Sequence, residues 1–333
     1  MRAAWYDRPG PARHVLTVGE LPDPVPGPGE VLVRVAASGV NPSDYKRRST
    51  SAPTRRCVPH SDGAGTVVAA GDDLHRDWIG KRVWVWNAVN RFGYGVLAPG
   101  ESGTAAELVV MPVGNLAELP DTVGFEVGAC LGVPAFTAYA AVLGDGPVDG
   151  ATILVQGGAG SVGELAIQLA VRAGATVLTT VSSSAKADRA RAAGAHQVID
   201  YRTTDVRTAV RDHAPAGVDR VVEVDFAANI RTDTDVLAPY GTIASYSSTS
   251  NPEPVVPYFA LQLKGATLRT VQVFTMPARQ RAQAVKHIGA ALAAGTLVPS
   301  IAAVFGLDDI AAAHEAAENR PEGNVIVEPG VRR

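Results

Sequence analysis

Val155-Gln-Gly-Gly-Ala-Gly-Ser-Val-Gly163 is the stretch on which the reading turns. Gly158, Gly160 and Gly163 fit G-x-G-x-x-G. The compact apolar strand Ala151–Gln156 precedes them. After them Val162, Leu165, Ala166, Leu169 and Ala170 recur at helical spacing up to Arg172. In that setting the first glycine allows a tight turn, the second lets the backbone approach a pyrophosphate, and the third permits close helix–strand packing. Free N–H groups and the positive end of the helix dipole then favour phosphate, so Gly158, Gly160 and Gly163 are expected to bind a dinucleotide.

The next strand, Thr176–Val181, ends where the cofactor's ribose would be recognised. An NAD-preferring protein places an acid there. This chain has Val181-Ser-Ser-Ser-Ala-Lys186, with no acid between Leu165 and Ala187. Serine hydroxyls and a mobile ammonium suit a 2′-phosphate, so NADPH is the expected cofactor, with the serine run and Lys186 as its selectors. A serine N-cap carrying a solvated lysine on the next helix is the structural alternative, and both can hold at once.

Further out, strands alternate with helices: Ala185–Ala193, Gln197–Ile199, Val218–Val224, Gly241–Ser245, Thr267–Phe274, then a long helix at 278–294. That rhythm predicts a parallel sheet with right-handed crossovers, a Rossmann-type doubly wound α/β domain. Residues 1 to 122 instead carry short β-type runs such as Val31–Val35, Gly65–Ala69 and Arg82–Trp86 between Gly- and Pro-rich punctuation, which predicts a barrel-like β domain. The expected boundaries are 1–123, completed by 277–333, around a nucleotide-binding domain at 124–276.

Composition narrows the function classes. The chain has 333 residues, 46% hydrophobic and 19% charged, with a net charge of −3. A disordered polyampholyte would carry more charge, and a dedicated nucleic-acid binder a positive balance. No nucleic-acid partner is expected. No signal-like start or apolar run of about 18 residues is visible, so a soluble, cytoplasmic protein without membrane contact is expected. The two cysteines, Cys57 and Cys130, cannot form a four-cysteine zinc site. Cys57-x-x-His60 with Asp62 nearby has ligand-like spacing, but the other histidines form no ligand-spaced pair. No metal is expected, and Cys57 and His60 read as loop packing.

Four motifs in order, Gly39-Val-Asn-Pro-Ser-Asp-Tyr-Lys46, His60-Ser-Asp-Gly-Ala-Gly-Thr-Val67, Gly132-Val-Pro-Ala-Phe-Thr-Ala-Tyr139 and the glycine turn, make the chain resemble the zinc-free branch of the medium-chain dehydrogenase/reductase superfamily, in particular the zeta-crystallin-like quinone oxidoreductases. The resemblance implies a GroES-like β-barrel domain around a Rossmann domain, with the active site in the cleft. Zinc-dependent members carry cysteine where Asn41 stands and histidine where Ser61 stands. It further implies Asn41, Asp44 and Thr137 near the nicotinamide and substrate, Gly158, Gly160, Ser161 and Val162 along the pyrophosphate, Ser182 and Lys186 at the 2′-phosphate, Tyr201 at the adenosine end, and Asn324 reaching the cofactor from the tail. Strand 267–274 would be a homodimer edge. The tyrosine donor of the superfamily's enoyl-thioester reductases is missing, and Tyr45 is the only nearby phenol.

The implied chemistry is hydride transfer from NADPH to a quinone or other α,β-unsaturated carbonyl, with Thr137, Asn41 and Tyr45 as donors to the developing oxyanion and Asp44 as an orienting acceptor. The loop from Asn87 to Gly100, with Phe92 and Tyr94, could stack on a flat acceptor or be a surface loop with one packed aromatic. Lys46, Arg47, Arg48, Arg55 and Arg56 form a basic cluster that steers an anion or is simply solvated. Two alternatives stand beside the leading reading: a pathway-specific enone reductase of a polyketide-like intermediate, and a non-catalytic NADPH-binding protein.

Overall fold

The computed structural model describes residues 1–53, 55–89, 103–319 and 321–330. The chain forms two compact units, one of residues 1–133 with 298–333 and one of residues 134–297.

The first unit opens with β1 (Arg2–Trp5), α1 (Ala12–Val15) and β2 (Thr17–Glu20), followed by the long β3 (Glu30–Val40) and α2 (Pro42–Thr50). Then come β4 (Asp62–Ala70), β5 (Arg82–Val85), β6 (Leu108–Pro112), β7 (Leu116–Glu118) and the short α3 (Phe125–Gly128). The second unit contains α4 (Phe136–Leu143), β8 (Thr152–Val155), α5 (Ser161–Arg172), β9 (Thr176–Val181), α6 (Ser184–Ala192) and β10 (Gln197–Asp200). It continues with α7 (Val206–His213), β11 (Val218–Glu223), α8 (Phe226–Val236), β12 (Leu237–Ser245), α9 (Tyr258–Leu263), β13 (Thr267–Thr270) and α10 (Ala278–Ala293). The chain then returns to the first unit with β14 (Ile301–Gly306), α11 (Ile310–Glu318) and β15 (Asn324–Glu328).

In the first unit β14, β15, β3, β4, β5 and β7 lie side by side, and β6 also pairs with β3. β3 serves several partners because its register shifts at Leu32/Val33 and again at Val35/Ala37, bending the strand as bulges do. Its alternate residues Val31, Val33 and Val35 bury against Val67, Val83, Val85, Val109 and Met111. The tail closes a second core, in which Leu307, Ile310, Ala313, Val325 and Val327 pack with Ala3, Ala4, Val40 and Val58.

The second unit is a six-stranded, all-parallel sheet in the order β10-β9-β8-β11-β12-β13. That is the order 3-2-1-4-5-6 of a Rossmann fold, with its topological switch point between β8 and β11. Ligands bind such sheets beyond the strands' carboxyl ends at that point.

Both expected boundaries move. α3 packs on β3, β4 and β5, so the first unit runs on to 133 rather than 123. α10 packs on α4, so the second unit extends to 297 rather than 276. The expected strand 267–274 ends at Thr270. Beyond it the Gln272 side chain accepts from Phe274 N, and Val273, Phe274 and Met276 turn inward and bury.

Candidate active site

The glycine turn joins β8 to α5. Gly157, with φ +69°, takes the left-handed turn, a task the sequence reading gave to Gly158. Gly158 is required for a different reason: a Cβ there would overlap Thr179 Oγ1, and one at Gly163 would overlap the Gly157 carbonyl. Gly160 differs from both. It is exposed, and a Cβ would meet only Gly157 O, at 3.4 Å. The protein interior therefore does not demand a glycine at 160; the free space above the turn is what a phosphate would use. Gly160 is the N-cap of α5, and Ser161 and Val162 form its half-buried first turn.

The turn is tied to β9. Gly158 N donates to Thr180 O at 3.0 Å and Gly157 N to Thr180 Oγ1 at 3.1 Å. Two residues on, Lys186 Nζ donates to Ser182 Oγ at 3.1 Å, and Ser183 caps α6 by accepting from Lys186 N at 3.3 Å. The N-cap reading of the serine run thus holds at Ser183, and Ser182 and Lys186 meet beside it. Tyr201, half exposed, follows β10, and its N–H bonds Val181 O at 3.1 Å. The residues present fit a dinucleotide with a 2′-phosphate: an open glycine turn, a helix N-terminus, and a hydroxyl and an ammonium already in contact at the end of the second strand.

In the first unit Asn41 and Asp44 open α2 as a capping box, Asp44 Oδ2 accepting from Asn41 N at 2.8 Å. Asn41 Nδ2 donates to Asp62 Oδ2 at 2.7 Å, and Val133 N to the same oxygen at 2.6 Å. Burial raises both carboxyls, Asp44 to about 7 and Asp62 to about 8, against hydrogen bonds that favour the charged forms. Asp62 was noticed in the sequence only as a possible metal neighbour. Tyr45 is half-buried against the tail core. Thr137 belongs to the second unit, buried on α4. Asn324, in the first unit, donates its amide to Ser300 O at 2.9 Å.

His60 is fully buried with φ +75°. Its Nδ1 lies 2.8 Å from Ser38 Oγ, and its Nε2 lies 3.0 Å from Nε2 of His314. The sequence carries no ligand-spaced histidine pair, and this contact is invisible to spacing because 254 residues separate the two. Among the described residues no group of three or more His, Cys, Asp or Glu could hold a metal ion.

The basic cluster loses one member: Arg48 is fully buried, donating to Gly10 O and Glu318. Arg55 is exposed, and Arg56 lies 4.7 Å over the Trp5 ring. Asn87 is buried with φ +58°, whereas Phe92 and Tyr94 lie outside the described residues.

Two family models match the chain: the alcohol dehydrogenase GroES-like domain over residues 27–121 and the zinc-binding dehydrogenase domain over residues 161–290. The chain belongs to the medium-chain dehydrogenase/reductase superfamily. Quinone oxidoreductases are among the proteins it is similar to. Human quinone oxidoreductase is 28% identical over 297 residues, 88% of this chain and 86% of that protein. A mycobacterial protein solved with NADPH is 29% identical with a TM-score of 0.84, covering 99% of this chain and 100% of the other. A quinone oxidoreductase of Pseudomonas syringae is 29% identical, also at a TM-score of 0.84, covering 98% of this chain and 99% of the other. The GroES-like and Rossmann pairing read from the sequence is thus the fold of this oxidoreductase superfamily.

Proposed function

We propose that the protein is an NADPH-dependent, zinc-independent reductase of quinones or other α,β-unsaturated carbonyls. The carrying observation is the contact of Lys186 with Ser182 at the end of β9, beside an open glycine turn. An ammonium and a hydroxyl there recognise a 2′-phosphate, where a carboxylate would favour the free ribose. NADPH, when bound, supplies a hydride. The chain's residues bind and orient. Gly160, Ser161 and Val162 present the N-terminus of α5 to the pyrophosphate, and Tyr201 flanks the adenosine end. Asn41, Tyr45 and Thr137 are the donors proposed for negative charge developing on the acceptor oxygen, with Asp44 holding Asn41 in place. Asn324 is assigned to the cofactor by resemblance alone, and Asn87 to the substrate side as the start of the loop 87–100. The absence of zinc rests on Asn41 and Ser61, neither a usual zinc ligand, at the two positions where zinc-dependent relatives carry cysteine and histidine.

We also propose a homodimer through the β13 edge. That edge is flanked by exposed Tyr258, Phe259, Leu263 and Leu268, an apolar surface beside a strand whose outer edge pairs with no other strand among the described residues. Light scattering on the purified chain tests it, and a monomer at micromolar concentration removes it.

The cofactor reading is tested by fluorescence titration with NADPH and NADH. Lys186→Ala is expected to weaken NADPH about tenfold and leave NADH unchanged. Equal loss for both removes the 2′-phosphate assignment. A panel of quinones and enones, assayed with and without chelator, separates the acceptor classes and the zinc question. Turnover of enones alone would favour the pathway-specific reductase, and binding without turnover a non-catalytic role.

A further inference from the structure

At the switch point of the parallel sheet two acids are buried together. Glu223 ends β11, Asp233 sits on α8, and neither has measurable exposure. Every oxygen but two has a donor. Glu223 Oε1 accepts from Asp225 N and from Asn229 Nδ2, the latter at 3.1 Å. Asp233 Oδ1 accepts from Gln156 Nε2 at 2.8 Å. Glu223 Oε2 and Asp233 Oδ2 receive nothing from any donor group, and the two carboxyls are in hydrogen-bond contact. Two carboxylates cannot make that contact without a proton between them.

The pair is wired to the glycine turn. Thr180 Oγ1 accepts from the N–H of Gly157 at 3.1 Å and donates its single proton to Gln156 Oε1 at 2.7 Å. With Gln156 Oε1 so occupied, its amide nitrogen must point at Asp233, as it does. Each member of the series Gly157, Thr180, Gln156, Asp233, Glu223 therefore has its donor and acceptor roles set by the next. The last link needs one proton.

We propose that Glu223 and Asp233 are positioning residues for cofactor binding: they share one proton, and through Gln156 and Thr180 that proton holds the left-handed turn at Gly157 that shapes the phosphate-binding loop. The inference rests on the dinucleotide reading above. Burial raises both carboxyls, and Glu223 pushes Asp233 further, well above the usual range, while the hydrogen bond with Asp233 pulls Glu223 back down, so the pair favours one proton held on the Asp233 side. The other titratable groups facing the pair are Asp225, at the start of α8, and Tyr246, just after β12, whose phenol is itself raised by burial and by Glu223. Gln156 and Asn229 are its neutral partners. Raising the pH removes the shared proton and leaves two buried carboxylates repelling each other. The turn then loses its support, and dinucleotide affinity falls.

The test is the dissociation constant of NADPH and of NADH across neutral to alkaline pH for wild type, Asp233→Asn and Glu223→Gln. Either amide supplies a permanent donor to the remaining carboxylate. NADH is included because it lacks the 2′-phosphate, so an effect shared by both dinucleotides does not arise at that group. Wild type is expected to lose about fivefold or more in affinity for both dinucleotides at the alkaline end. The two amide variants are expected to match wild type at neutral pH and lose that limb. Asp233→Leu, checked for native circular dichroism, is expected to bind weakly at every pH. An alkaline limb unchanged in both amide variants overturns the inference alone. Failure of wild type to bind either dinucleotide overturns the functional reading and the inference with it.

Discussion

Each unit buries a pair of like titratable side chains, and the two pairs answer to opposite ends of the pH scale. In the barrel unit His60 meets His314, and in the Rossmann unit Glu223 meets Asp233. Burial acts on both by disfavouring charge. It pushes His60 down to about 3 and His314 well below its usual range, and it pushes the acids up. The histidines are neutral at working pH, and their chain of bonds has one consistent direction. Thr104 donates to Asp62 O at 2.5 Å, so Ser38 donates to Thr104, His60 Nδ1–H donates to Ser38, and His314 donates to the free Nε2 of His60. The acids need a proton where the histidines need none. One sheet system is thus vulnerable to acid and the other to base, from the same physical cause.

The hardest break is removal of one acid. Glu223→Leu strands the Asp225 N–H, the Asn229 amide and Asp233, and is expected to cost about 3 kcal/mol by chemical denaturation. A loss below about 1 kcal/mol would mean the pair is not held as described.

Acid titration comes next. His60 binds its proton at about 3 when folded and near 6.5 when unfolded, so between those values the unfolded chain binds more protons and stability falls as pH falls. At pH 5 the loss from this group is about 2 kcal/mol relative to neutral pH. His314→Gln, whose amide can still donate to His60 Nε2, is expected to halve the acid dependence seen by thermal melting. An unchanged slope would place the titration elsewhere.

The opposite limb is smaller in effect. Asp233 is raised in the fold, so its contribution is present below the unfolded value near 4 and is lost as pH rises through the folded one. Asp233→Asn should therefore raise the melting temperature by a few degrees at pH 8 and by less at pH 5. Exposed pairs give the baseline. Lys81 and Glu118, 2.6 Å apart on the barrel surface, should show no measurable change in midpoint for Glu118→Gln.

Much of this molecule was legible in the chain itself. Strand periodicity and the glycine spacing predicted the Rossmann unit, because both are local consequences of a buried parallel strand and a phosphate-binding turn. The serine N-cap of α6 was legible too, since a serine run just before a helical stretch is local in the chain. Helix ends at Ala192 and Ala293 were anticipated to within a residue. The Thr267 strand was read too long because Val273 and Phe274 look like strand residues until packing draws them inward. Arg48 was read as a surface cation because its partner, Glu318, lies 270 residues away.

The sequence by itself thus determined the fold class, the glycine turn and the kind of cofactor the second strand can recognise, all of which depend on neighbours within a few residues. Only the tertiary structure decided where the two units divide, that Gly157 takes the left-handed turn, and which titratable groups face each other away from water. His60 and His314, or Glu223 and Asp233, carry no mark in the chain. Their protonation is set by burial and by a partner that folding supplies, because the cost of a charge depends on what surrounds it.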